Sequence, residues 1–254
     1  MVVPNTRRIP EATVARLPVY QRILLELVRA GTTTVSSDQL ADMARVNASK
    51  VRKDLSFLGS FGTRGSGYEA QFLLSQIDRE LGLHGDFVLQ VGRIEPRKNP
   101  AAALAAVEKL DGVTFAVAGS ERDPALAAQL RRSPSCRVLG RVDQPTLELL
   151  YKRARAIVVP SLYEGFGLPV LEAMARGQVV VAAATSSLPE VGGDAVLYVK
   201  DAGDPHELTS ALRTALYDKT VRARLTRLAK KRAATFTWDR FTAGVVAVIR
   251  ELVG

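Results

Sequence analysis

Beyond residue 86 the chain alternates short apolar runs with longer stretches whose apolar positions recur every three or four residues. Runs at 87–91, 114–118, 137–139, 156–159, 179–184 and 195–199 read as strands buried on both faces of a parallel sheet. The periodic stretches at 101–109, 125–132, 146–154, 207–217, 221–234 and 239–252 read as helices. This alternation predicts an α/β fold with a doubly wound sheet, whose ligand-binding loops lie at the C-terminal ends of the strands.

Before residue 84 the pattern differs. Val14, Leu17, Ile23, Leu24, Leu27 and Val28 fall at helical spacing, but Pro18 interrupts them. Proline suits the first turn of a helix, so a short helix, a break and a longer helix ending at Gly31 are expected. Ser36 or Ser37 then caps a helix over 38–44, a turn follows at Arg45 and Val46, and Asn47 caps another over 48–58. Two short helices across a tight turn, the second carrying Lys50, Arg52 and Lys53, have helix-turn-helix spacing. The four glycines of GSFGTRGSGY, residues 59–68, predict a hairpin tip or wing. Helical periodicity returns over 69–81 through Phe72, Leu73, Ile77 and Leu81. Two domains are expected, 1–83 and 84–254.

Composition narrows the setting. Cys136 is the only cysteine, so no disulfide forms within the chain, and the start MVVPNTRRIP lacks the apolar core of a secretion signal. No apolar run approaches the ~18 residues of a membrane span. A cytoplasmic protein is expected. With 35 Lys and Arg against 26 Asp and Glu the net charge is +9, which favours anionic partners: nucleic acid, nucleotide or acidic lipid. The run RARLTRLAKKRAA at 222–234 has the composition for weak contact with a membrane surface or nucleic acid, although such runs are usually solvated faces. His84 and His206 are isolated and no Asp-x-Asp pair occurs, so no metal site is predicted.

The segments IPEATVARLPVY, TVSSDQLADMARVNASKVRKDLSFLGSFGTRGSGY and QFLLSQIDRELGL resemble the winged-helix domain of Rex, the bacterial redox-sensing repressor, almost without gaps from Ile9 to Leu83. The resemblance implies that Lys50, Arg52 and Lys53 enter the major groove or grip its phosphates. It places Arg64 of the wing in the minor groove and Arg16 on the DNA backbone. Two helix-turn-helix units must meet half-sites about one helical turn apart, so a homodimer on a palindrome is expected. Phe57, Phe61 and Ser66 depart from the tyrosines and valine expected there. Rex continues into a dinucleotide-sensing domain, but here the run at 87–91 is followed by GRIEPRKNP. Only Gly92 of a G-x-G-x-x-G fingerprint is present, which disfavours NAD.

The stretch SLYEGFGLPVLEAMA, 161–175, joins a predicted strand to a predicted helix through Gly165 and Gly167. Glycines at a helix start let an anion approach peptide amides, and Glu164 and Glu172 can flank the same pocket and accept hydrogen bonds from hydroxyls. Phosphate on amides and hydroxyls on carboxylates describe a nucleotide sugar. The order Glu, Gly-Phe-Gly-Leu-Pro, Glu resembles the signature of retaining family 4 glycosyltransferases of the GT-B fold, and 186–190, SSLPE, resembles the segment that follows it. The resemblance implies a Rossmann-like C-terminal domain in which Arg93 and Lys98 hold the donor diphosphate without a metal. It implies further that Glu164 meets the transferred sugar, Glu172 the ribose, and the amides of Phe166, Gly167 and Leu168 the phosphate or sugar.

A GT-B enzyme has two Rossmann-like domains, the first carrying the acceptor site, and here the winged-helix segment stands in that place. Three readings follow: a DNA-binding repressor with a nucleotide-sugar effector; a retaining glycosyltransferase completed by a partner or by self-association; and a fusion of two uncoupled modules.

Overall fold

Pro18 sets the first break in the chain: α1 (Glu11–Val14) ends before it and α2 (Leu17–Arg29) carries it in its first turn. The structure is a computed structural model and describes residues 9–59, 67–83 and 86–253. After β1 (Thr34–Val35), a capping box opens α3 (Ser37–Ala44): the Gln39 amide donates to Ser36 Oγ at 3.0 Å and the Ser36 amide to Gln39 Oε1 at 2.9 Å. Arg45, at φ 53°, makes the left-handed turn. Asn47 Oδ1 accepts from the amides of Ser49 and Lys50 at the start of α4 (Ala48–Leu58). β2 (Tyr68–Glu69) pairs antiparallel with β1 and leads into α5 (Ala70–Leu81). Strands of two residues are too short for alternation to register, so the hydrophobic pattern does not predict this pair. Gly67, at φ 75°, is required beside it, since a Cβ there would lie 2.7 Å from the Val35 carbonyl oxygen. Leu17, Tyr20, Ile23, Leu24, Leu40, Val51, Leu55, Leu73, Ile77 and Leu81 are fully buried.

The rest alternates as the pattern predicts: β3 (Phe87–Val91), α6 (Pro100–Val107), β4 (Thr114–Ala118), α7 (Pro124–Leu130), β5 (Cys136–Gly140), α8 (Gln144–Arg153), β6 (Ala156–Val159) and α9 (Leu168–Ala175). There follow β7 (Val180–Ala183), α10 (Leu188–Gly192), β8 (Leu197–Val199), α11 (Pro205–Tyr217), α12 (Lys219–Ala233) and α13 (Trp238–Val253). The strands form a parallel sheet in the order β5-β4-β3-β6-β7-β8.

The chain divides into two compact units, Met1–Pro96 with Asp111–Arg153, and Arg97–Leu110 with Ala154–Gly254. In the first, the N-terminal helices pack on α/β elements, and residues 60–66 of the expected wing lie outside the described residues. Arg153 donates to the Leu83 carbonyl at 2.8 Å and pairs with Asp78 at 3.4 Å, Arg22 lies 3.5 Å from Asp143, and Thr114 Oγ1 donates to the Gly82 carbonyl at 2.9 Å. In the second unit α11 lies against α6, with Thr209 Oγ1 donating to the Ala106 carbonyl at 3.1 Å, and α12 lies against α9. Among the described residues no helix is long and apolar enough to cross a membrane, and no three His, Cys, Asp or Glu side chains are grouped to hold a metal ion.

Candidate functional site

The loop between β6 and α9 displays Glu164 and is braced from two directions within the second unit. Glu164 is 7% exposed; its Oε1 accepts from Lys98 Nζ and from Ser161 Oγ at 2.7 Å, and its Oε2 lies 3.7 Å from Arg97 Nη1. The loop after β7 holds the backbone. The Glu164 amide donates to Ser186 Oγ at 2.9 Å, Ser187 Oγ donates to the Glu164 carbonyl at 3.0 Å, and Thr185 Oγ1 donates to the Ser161 carbonyl at 3.0 Å. Ser186 takes φ 47° to do so, a conformation uncommon for a side-chain-bearing residue and concentrated at ligand sites. On the other side Arg97 Nη1 donates to the Tyr163 carbonyl at 2.6 Å and the Arg97 carbonyl accepts from the Leu162 amide at 2.9 Å.

This arrangement fixes a charge pattern. Lys98, with 11% of its side chain exposed, and Arg97 place two cations beside one carboxylate. Such a buried pair holds only where its remaining hydrogen bonds are met, as Ser161 does here. Gly167, at φ 97°, turns the chain into α9; a Cβ on it would lie 2.8 Å from Leu188 Cδ2. Gly165 is exposed, with nothing within 4 Å of where its Cβ would be. Phe166 meets Phe236 edge-on at 6.0 Å, and the Arg232 guanidinium sits 5.0 Å above that second ring. Leu162, Tyr163, Phe166 and Leu168 remain exposed, giving a charged floor an apolar rim. Glu172 is half-buried four residues beyond Leu168 on α9, and its carbonyl accepts from Arg176 Nη1 at 2.6 Å.

Lys98 and Glu164 are thus in contact, and Gly165, Phe166, Gly167, Leu168 and Glu172 continue from them along the loop and α9. Arg93 belongs to the first unit, exposed in the loop after β3. Sequence reasoning missed Arg97, Ser161 and Ser186, whose roles rest on contacts between segments far apart in the chain.

In the helix-turn-helix, Lys50 and Lys53 are exposed on α4. Arg52 donates to Ser37 Oγ at 2.8 Å and lies 3.8 Å from Asp38. Arg16 donates to buried Asp54 through Nε and Nη2, so those two donors hold α1, α2 and α4 together. Arg64 lies outside the described residues, as do Phe61 and Ser66.

The family described as "Glycosyl transferases group 1" matches residues 77–232, more than half of the chain, and the family described as "Putative DNA-binding protein N-terminus" matches residues 8–56. The redox-sensing transcriptional repressor Rex of Streptomyces griseus subsp. griseus is 49% identical over 124 residues, 48% of each chain. The D-inositol 3-phosphate glycosyltransferase of Mycobacterium avium is 36% identical over 184 residues, 68% of this chain and 43% of that one. Among solved structures, sucrose-phosphate synthase from Thermosynechococcus elongatus superimposes with a TM-score of 0.59 and 26% identity, covering 70% of this chain and 48% of that one. Anabaena HepE, solved with UDP and glucose, has a TM-score of 0.58 at 23% identity over 69% of this chain and 51% of that one, a likeness of fold. The chain spans about half the length of the curated relatives it matches. It belongs to the group 1 glycosyl transferases, with a GT-B-type α/β domain behind a Rex-like DNA-binding segment.

Proposed function

We propose that the chain is a cytoplasmic DNA-binding repressor whose glycosyltransferase-type domain takes a nucleotide sugar, with a uridine nucleotide the first to try, as effector. Lys50, Arg52, Lys53 and Arg64 serve the DNA, Arg93 and Lys98 the diphosphate, and Glu164 and Glu172 the sugar and ribose hydroxyls.

One observation carries this reading over that of two uncoupled modules. Arg131, at the C-cap of α7, pairs with Glu121, through Nη2 and, at 3.2 Å, through Nη1, and lies 3.5 Å from Glu11 of α1. The segment around Glu121 is hydrogen-bonded to the loop bearing Arg93: the Ile94 amide donates to the Ser120 carbonyl at 2.9 Å, and the Ile94 carbonyl accepts from Arg122 and Asp123 at 3.1 and 3.0 Å. An anion drawn to Arg93 thus acts on a loop one ion-pair network away from α1. The test is operator-fragment retardation with and without UDP-sugars, beside calorimetry on a panel of nucleotide sugars and NADH. A nucleotide sugar that binds and shifts the operator affinity supports the reading; binding only to NADH overturns it.

The second reading, a retaining glycosyltransferase completed by another chain, is favoured by the intact Lys98–Glu164–Ser161 constellation. Steady sugar transfer by the purified chain would put it first.

A further inference from the structure

An amphipathic helix of sixteen residues left in water with its apolar face uncovered is marginal, because most helical stability in proteins comes from packing that face. α13 is in that condition. Trp238, Phe241, Val245, Val246, Val248, Ile249 and Leu252 are all exposed, from 39% at Val246 to 82% at Trp238. Trp238, Phe241, Val245, Val248 and Leu252 follow one another at spacings of three, four, three and four, the seam of a two-helix coiled coil. Ile249 widens the seam on one flank, and Gly244, with open space where its Cβ would be, leaves a hole in an open groove lined by Phe241, Val245 and Val248.

We propose that α13 is the homodimer interface, packing antiparallel on α13 of a second copy about a two-fold axis. Two antiparallel registers stack this seam in four apolar layers, one facing Phe241 with Val245 of the partner subunit and the other facing it with Leu252 of the partner subunit, and the charges select the second. Facing Phe241 with Leu252 of the partner subunit and Val245 with Val248 of the partner subunit gives four successive apolar layers, and the same pairs recur by symmetry, as a self-complementary patch requires. The charges agree with this pairing. In this register Arg240 of one copy falls on the same flank as Glu251 of the partner subunit, about two residues or ~3 Å along the axis, within reach of an arginine. Parallel pairing would instead set each charged residue beside its own copy. The inference concerns oligomeric state and requires neither DNA nor nucleotide-sugar binding, so it can stand or fail apart from the proposed function.

The experiment is sedimentation equilibrium of the full chain without DNA, for the wild type and for variants of exposed residues that leave the folded units intact. The wild type should be a dimer at micromolar concentration, and Val245→Glu with Val248→Glu should be a monomer with an unchanged melting temperature for the two units. Arg240→Glu should weaken dimerisation by about fivefold or more, and adding Glu251→Arg should restore it. A monomeric wild type, or a dimer indifferent to the Val245 and Val248 changes, overturns the proposal. Failure of the double charge reversal to restore association overturns the antiparallel register. Dimerisation that appears only with a different polypeptide bound to α13 assigns the face to that partner and overturns the second copy as occupant.

Discussion

Arg16 donates from Nε and Nη2 to both carboxylate oxygens of Asp54, each at 2.6 Å, and so ties the break after α1 to α4. Thr13 Oγ1 and Tyr20 OH each donate to the same carboxylate at 2.8 Å. Asp54 is 1% exposed, so every group in this cluster depends on the others for its hydrogen bonds.

Burial pushes the Asp54 carboxyl up, but the hydrogen bonds from Arg16, Thr13 and Tyr20 outweigh it and hold the group below the ordinary carboxylate range. A depressed folded pKa means that the stability it contributes is complete above the unfolded value, near 4, and is lost as pH falls through the folded value. Asp54→Ala leaves buried Tyr20 and Thr13 and the Arg16 cation without their acceptor, and should cost about 3–5 kcal/mol at neutral pH. Urea unfolding at several pH values checks both statements: the gap between wild type and variant should be full at pH 7 and shrink below pH 4.

The sequence carries a trace of this cluster. Asp54 stands on the face of α4 that includes Val51 and Leu55, where a charge is out of place unless something meets it. What meets it is not visible in the local pattern, because Thr13, Arg16 and Tyr20 lie 34 to 41 positions away. Arg16 is read as a DNA-backbone contact through the family resemblance, and no local pattern pairs it with Asp54. The glycine loop is legible because its chemistry is local, Glu164 through Glu172 in one continuous stretch. Lys98 lies 66 positions from Glu164, and its proximity follows from family resemblance, since no local pattern encodes it. Ser186 is out of reach altogether: its left-handed backbone is dictated by the loop it braces.

Gly167 offers a local test of the loop. Any side chain there meets Leu188 Cδ2 and must hold φ at 97°, which an L residue disfavours. Gly167→Ala should lower stability by about 1–2 kcal/mol and weaken nucleotide-sugar binding more than Gly165→Ala, whose site is open. Thermal shift with and without ligand separates the two effects.

On the DNA side, replacing Lys50, Arg52 and Lys53 together by Ala should abolish specific retardation of an operator fragment. Removing a side chain that reads a base edge costs roughly 1–3 kcal/mol, and removing a cation that sits on a phosphate lowers the salt slope by about 1. Arg52 also donates to Ser37, so its single substitution should loosen α3 against α4, whereas Lys50→Ala should act on binding alone. Unchanged retardation by the triple variant removes α4 as the recognition helix.

Arg131→Ala tests coupling apart from binding. Its guanidinium is shared by Glu121 and Glu11, so removing it cuts the contact between the segment next to the Arg93 loop and α1. Allosteric couplings are commonly worth about 1–3 kcal/mol, roughly a five- to 150-fold effect on affinity. The variant should bind operator and nucleotide sugar separately as the wild type does, while the effect of one on the other falls several-fold. A full effect in the variant shows that the two modules communicate by another route, and no effect in the wild type shows that they do not communicate.

The last prediction separates holding a donor from transferring it. Lys98, Glu164, Ser161 and Ser186 brace one another within the second unit, and Glu172 sits one turn into the helix that follows. Donor binding needs little more than this. Transfer needs an acceptor oriented against the reacting carbon, and orientation of that kind can be worth ~7–11 kcal/mol of barrier. The match covers 43% of the Mycobacterium avium glycosyltransferase, and a Rex-like segment stands at the N-terminal side of the matched domain. The purified protein should therefore bind a UDP-sugar in calorimetry while showing no sustained transfer to soluble or lipid acceptors. Glu172→Ala should weaken that binding by roughly 1.5–3 kcal/mol, the worth of charge-assisted bonds to ribose hydroxyls. Glu164→Ala should weaken it too, by leaving Lys98 without its carboxylate. Sustained transfer that disappears in Glu164→Ala would show instead that a second copy completes the cleft, and the enzyme reading would then lead.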